Sequence, residues 1–205
     1  VWTGACPGWR ELDPANIPTD VEVMVRLSDY DYINSRLTDG EEIQLEFKLD
    51  NKFKPGPVPV FNTIAEIPGT TWPDEVVIVS GHLDSWDGPG SQGATDNGTG
   101  SAVTLEAARI LMAAGAKPKR TIRFILWTGE EQGLLGSRAY VKNNPDLLPK
   151  LSAVFVDDGG TNTQGGLLCT RDMTPILAAA TAPVNNLFFD DKTNEALNSN
   201  IQPLD

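Results

Sequence analysis

The sequence predicts an α/β fold, a three-layer α/β/α arrangement with a mixed, mostly parallel sheet between helices. Three observations carry this expectation. From residue 60 onward, short apolar, β-branched runs alternate with longer amphipathic stretches, the pattern of strands joined by crossover helices. Each amphipathic stretch is bounded by turn residues, as at Gly115 and Pro118, so the periods do not run into one another. The residues with most chemistry, His82, Glu130-Glu131 and Asp157-Asp158, fall where strand-like runs stop. In sheets of this class ligands gather at the carboxyl ends of the strands.

The elements follow in order. Residues 1–20 are rich in Pro, Gly and Trp without a period and read as loop. Val21 to Arg26 reads as a short strand. Ser28-Asp29-Tyr30-Asp31-Tyr32-Ile33 reads as a helix start, with Ser28 as N-cap and Asp31 at the capping-box position. Asp39-Gly40 turns the chain, and the alternation from Ile43 to Leu49 predicts a half-buried strand. Pro55-Gly56-Pro57 marks a boundary, which divides residues 1–54 from 55–205. Beyond it, Val60 to Ile67 and Glu75 to Val79 are expected strands joined by residues 68–73. Ser101 to Ala114 is an expected helix with Val103, Ala107, Ile110 and Leu111 on one face and Gly115 as its stop. A strand over Thr121 to Trp127, a helix over Leu135 to Lys142, a strand over Ala153 to Val156 and a helix over Thr174 to Thr181 complete the series. From Asn185 the sequence turns polar and Asn-rich, with no further element expected, so the sheet reads as incomplete at its C-terminal side.

The 205 residues suffice for one substantial core, or for one domain with part of another. Hydrophobic residues at 40% and charged residues at 21% are ordinary for a soluble globular chain. Lys+Arg number 16 against Asp+Glu 28, a net charge of −12, which argues against nucleic acid and anionic membranes as partners. Cys6 and Cys169 have no metal-type spacing and are either one disulfide or two thiols. No apolar stretch approaches the roughly 20 residues of a membrane span. Val1-Trp2-Thr3-Gly4 has no character of a signal peptide.

His82 is the one histidine, in Ser80-Gly81-His82-Leu83-Asp84-Ser85. A lone histidine is commonly a structural one, but Asp84 stands where an acid can fix the tautomer of a ligand imidazole. Asp96 lies in Gly93-Ala94-Thr95-Asp96-Asn97-Gly98, ahead of a helix. Alone it reads as a turn residue, while in company with His82 its carboxylate can offer one oxygen to each of two metals. Glu130-Glu131 leaves an apolar strand as two like charges where desolvation is costly; one suits a metal and the other a base. Asp157-Asp158, followed by Gly159-Gly160, repeats the pattern more weakly. An imidazole and several carboxylates at one sheet edge form a ligand set for zinc or a similar divalent ion. Trp86 is placed to line a pocket. Lys117-Pro118-Lys119-Arg120 reads as a solvated link, and Gly88-Pro89-Gly90 is no phosphate loop because no Gly-Lys-Ser/Thr follows.

The segments Ser80 to Asp87, Gly93 to Gly98 and Trp127-Thr128-Gly129-Glu130-Glu131-Gln132-Gly133 resemble the zinc aminopeptidases and carboxypeptidases with co-catalytic metals, the carboxypeptidase Q branch among them. The match runs from about Val60 to Gly166, and Val21 to Phe53 more weakly resembles the end of a protease-associated lid domain. The resemblance implies two zincs bridged by Asp96, one held also by His82 and by an aspartate of the 157–158 pair. Alignment favours Asp158 over Asp157. It implies Glu131 on the other zinc, Glu130 as general base and Asp84 as support behind the histidine. The implied reaction is hydrolysis of dipeptides or short peptides by a metal-activated water, in a secreted or periplasmic setting. Its partners would be peptide substrates and either the remainder of the same enzyme or a second copy, with neither nucleic acid nor membrane insertion.

The family's second zinc also takes a distant histidine, which this sequence lacks. The expectation is therefore a fragment of a longer enzyme that binds at most one metal firmly, through His82, Asp96 and Asp158, exposes apolar surface and is inactive alone. Two rivals share the fold: a single-zinc glutaminyl-cyclase-like acyltransferase and a non-catalytic interaction domain like the transferrin receptor ectodomain.

Overall fold

The computed structural model describes residues 23, 25–48, 50, 52, 58–86, 91–160, 167–187 and 201–203. Residues 1–20, Cys6, the boundary at 55–57 and Gly88-Pro89-Gly90 lie outside the described residues. The chain divides into two compact units, Val1–Asp157 and Asp158–Asp205.

In the first unit, α1 spans Leu27–Thr38 and buries no residue. Its N-cap is Arg26 with no side-chain cap, so Ser28 and Asp31 lie inside the helix and form no capping box. Asp29 instead places its charge in the first turn, where the helix end favours an anion. The turn at Asp39-Gly40 is as expected, with Gly40 at φ 82°. Two expected strands are absent among the described residues. Val23, Val25 and Arg26 are in no strand, and neither are residues 43–48. Leu45 and Phe47 are exposed, so among the described residues the alternation has no apolar surface to face and no neighbouring strand to bond.

The sheet consists of β1 (Thr63–Ile67), β2 (Trp72–His82), β3 (Arg120–Trp127) and β4 (Leu151–Val156), in the order β1-β3-β2-β4. β2 runs parallel to both β3 and β4, with His82 opposite Trp127 and Ser80 opposite Val156. β1 runs antiparallel to β3, with Thr63 opposite Leu126. The sheet is thus mixed and mostly parallel, as the alternation of elements predicts. Val76, Ile78, Ile125 and Trp127 form a buried cluster against Tyr140, Leu147 and Leu151. Tyr140 belongs to α3 (Leu135–Asn143) and packs edge-on against Trp127 with ring centroids 5.3 Å apart.

α2 (Thr99–Ala113) packs on β2 and β3. It lies on the side marked by Gly81, which is out of phase with Val76 and Ile78 and whose Cβ would meet the Gly100 main chain. Gly115, at φ 64°, ends it as expected. Its inward face differs from the expected one. Gly100, Ser101 and Thr104 are buried, while Val103 and Ile110 are exposed. The helix start lies so close to the sheet edge that only small residues fit beneath it. The link at 117–120 is fastened by its carbonyls: Pro118 accepts from Thr70, and Lys119 from Thr71 and Trp72. β4 is the sheet's edge among the described residues, and Val154, Phe155 and Val156 are 45%, 39% and 62% exposed.

In the second unit, β5 (Leu167–Cys169) pairs in parallel with β6 (Ile201–Pro203), and α4 spans Thr174–Thr181. Cys169, Leu177 and Ile201 form its core. The strand at Ile201 corrects the expectation that nothing regular follows Asn185. Cys169 is buried, with Sγ 3.6 Å from Thr174 Oγ1.

Candidate metal centre

Parallel strands deliver His82, Glu130-Glu131 and Asp157 to the carboxyl edge of the first unit's sheet. His82 ends β2 and is 2% exposed. Its Nδ1 lies 2.9 Å from the main-chain oxygen of Asp84. A carbonyl can only accept, so this bond places the proton on Nδ1 and leaves Nε2 with its lone pair outward. Nε2 then faces Asp96 Oδ1 at 3.0 Å and Glu130 Oε2 at 4.0 Å. Two acceptors at 3.0 Å repel unless a cation, a proton or a metal, lies between them.

Asp84 supports the histidine with its main chain rather than its carboxylate, whose Oδ1 is 3.8 Å from Nδ1. That carboxylate turns the other way. It accepts the main-chain N–H of Glu130 at 3.0 Å and of Glu131 at 3.2 Å. One residue therefore orients the imidazole and the glutamate pair together. The loop from Thr128 to Gly133 is closed by its own main chain, with Gly133 and Leu134 N–H donating to Glu130 O, and Leu135 N–H to Gly129 O.

Asp96 sits in a kinked turn, Ala94–Gly98, where its φ and ψ of −116° and 97° leave the helical region before α2 begins. The Asp96–Asn97 peptide is cis. Asn97, 2% exposed, donates from Nδ2 to Asp157 O at 2.8 Å and accepts the Gly100 N–H at 2.9 Å. Ser101 Oγ donates to His82 O at 2.8 Å. Asn62 Oδ1 accepts the Thr128 N–H at 3.2 Å, and its Nδ2 donates to Gly136 O at 3.0 Å. The sequence reading did not single out Asn97, Ser101 or Asn62. For Ser101, between Gly100 and Ala102, the detectable signal was a polar residue among small ones, which calls for a partner when buried; Asn97, beside Asp96, read as part of a polar turn.

The site's fitness for a divalent ion rests on two features of these side chains. Glu131 Oε1 is buried with no hydrogen-bond partner among the described residues, a costly state for a carboxylate. Burial pushes its carboxyl up to about 7, with Asp96, Glu130 and Asp84 adding to the rise and His82 opposing it. Asp84, Asp96, Glu130 and Glu131 gather four carboxylates around one imidazole, an excess of acidic groups over basic ones. A dication suits these donors: oxygen and imidazole ligands with one orphaned oxygen among them. Asp158 is the residue after Asp157, whose N–H donates to Ser80 O at 2.8 Å. Trp86 is half-buried, four residues past His82.

Comparison with known proteins adds independent findings. The family model for peptidase family M28 matches residues 62–199. Carboxypeptidase Q of Rattus norvegicus is 38% identical over 154 residues, 75% of this chain and 32% of that protein. Leupeptin-inactivating enzyme 1 of Streptomyces exfoliatus is 44% identical over 85 residues, 42% of this chain and 19% of that protein. The crystal structure of a peptidase M28 precursor from Shewanella amazonensis SB2B superposes with a TM-score of 0.65 at 27% identity, covering 85% of this chain and 37% of that one. The chain spans about a third of the length of the carboxypeptidase Q relatives it matches.

Proposed function

Because the chain belongs to peptidase family M28, we propose that it carries the metal centre of a zinc-dependent exopeptidase acting on dipeptides or short peptides. The observation that carries this reading is the buried His82, with Nδ1 committed to a carbonyl and Nε2 facing a carboxylate at 3.0 Å. In this assignment His82, Asp96 and Asp158 would hold one zinc, and Asp96 and Glu131 would help to hold a second. The choice of Asp158 over Asp157 rests on the resemblance. With one histidine among 205 residues, the second zinc takes its imidazole from elsewhere. These residues alone therefore hold one zinc and do not turn over.

Bound zinc would supply Lewis acidity to the scissile carbonyl and acidity to a water beside it. The chain's own groups do the rest. Glu130, positioned through its main chain by Asp84, takes a proton from the attacking water as its oxygen bonds to the carbonyl carbon. The C–N bond then breaks, and Glu130 returns the proton to the departing amine. Asp84 keeps the proton on Nδ1 of His82, so that Nε2 stays available as a ligand. Carboxypeptidase Q and the leupeptin-inactivating enzyme among the relatives favour hydrolysis over cyclase-type acyl transfer or mere interaction. A location outside the cytoplasm belongs to the same proposal and rests on the resemblance.

The test is Glu130→Gln in the zinc-loaded, full-length polypeptide, assayed on a dipeptide panel. The expected result is a fall in kcat of about 10²–10⁴-fold with zinc content unchanged. Full activity in this variant would overturn the assignment of the base.

A further inference from the structure

The Asp96 turn, the end of β4 that leads to Asp158 and the first turn of α2, which holds the His82 carbonyl, meet at one side chain that is not itself a ligand. Asn97 follows Asp96 directly and is almost wholly buried. Its Nδ2 donates to the carbonyl of Asp157, sixty residues away and one peptide bond before Asp158. Its Oδ1 accepts the N–H of Gly100, in the first turn of α2. The amide cannot be turned over, because the Asp157 carbonyl only accepts and the Gly100 N–H only donates. The fit is close. A Cβ on Gly100 would lie 2.1 Å from Asp157 O and 2.4 Å from Asn97 Oδ1. In the same turn of α2, Ser101 holds the carbonyl of His82.

We propose that Asn97 is a positioning residue for the metal centre, setting the spacing between the Asp96 turn, the β4 end that leads to Asp158, and the α2 start that holds His82. The inference rests on the zinc assignment above. It goes further in placing the control of ligand spacing on a neutral amide whose donor and acceptor are both required. Aspartate has nearly the same shape but offers two acceptors. At position 97 it still takes the Gly100 N–H, but it sets an oxygen against the Asp157 carbonyl and drives the two segments apart.

The experiment compares wild type, Asn97→Asp and Asn97→Ser in the full-length polypeptide. It reads zinc affinity by competition with a chelating dye, the visible d–d spectrum after cobalt substitution, and the unfolding midpoint of chelator-treated protein. Both variants are expected to lose about ten- to a hundred-fold in zinc affinity, the usual cost of removing support behind a ligand. The cobalt bands are expected to change in intensity as the coordination geometry relaxes. Wild-type affinity and cobalt spectrum in either folded variant, with only the zinc-free midpoint lowered, would overturn the inference and leave Asn97 a structural residue. A wild-type protein that binds no zinc would sink the metal assignment itself, and this inference with it.

Discussion

Asp84 is a case where the residue type was legible and its use was not. An acid two positions after a ligand histidine suggests a carboxylate behind the ring, yet the ring takes the main-chain carbonyl and the carboxylate takes two amides of the glutamate loop. Glu131 shows the opposite balance, since a paired glutamate leaving a buried strand announced a desolvated charge. Its carboxyl, pushed from 4.5 to about 7 mainly by burial, makes a prediction for zinc-free protein. Between those two values the native state holds a proton that the unfolded chain has released. Stability therefore falls as pH rises through that window. Chelator-treated wild type is expected to lose denaturant midpoint across it, while Glu131→Gln loses less. Identical pH profiles would remove Glu131 as the source. Zinc needs the deprotonated carboxylate, so adding the metal is expected to flatten or reverse the trend.

Elements with a long apolar run between clear breakers were legible. β3 and α4 lie within a residue of their expected spans: β3 because its apolar run is largely buried, α4 because Thr174-Pro175 and Thr181 bracket an apolar run of helical length. The alternating stretch at 43–48 misled because alternation describes a strand's two faces without supplying its ladder. β6 was illegible for the converse reason: three residues including a proline become a strand only through pairing with β5. The supports of the metal centre were hidden likewise, since Asn97 reaches Asp157 and Asn62 reaches Thr128 across sixty or more residues. α2 makes its own prediction. Thr104 is 1% exposed and its hydroxyl has no partner among the described residues. Thr104→Val keeps the shape and removes the unmet group, so stability should rise by about 1 kcal/mol, read from urea unfolding. A loss of similar size would mean that the hydroxyl is bonded after all.

At the scale of the molecule, one architectural choice places everything: parallel β2, β3 and β4 bring their carboxyl ends to one side, so residues from distant parts of the sequence meet without any local motif joining them. Antiparallel β1 adds to the same edge from its beginning, which is why Asn62, just ahead of it, reaches the glutamate loop. Among the described residues, no helix is long and apolar enough to cross a membrane. The flank of the sheet matters in a different way for anyone who handles this chain in solution. β4 offers three consecutive apolar side chains, all more than a third exposed, along an edge with no neighbour among the described residues. Such an edge recruits other strands. A preparation of these 205 residues is expected to form oligomers whose size grows with concentration, despite a net charge of −12 that should keep molecules apart. Val156→Lys, placed at the most exposed of the three, should shift light scattering back towards monomer. Unchanged scattering would clear β4 of the effect. Colloidal behaviour, and not only catalysis, is thus written into how this sheet is bordered.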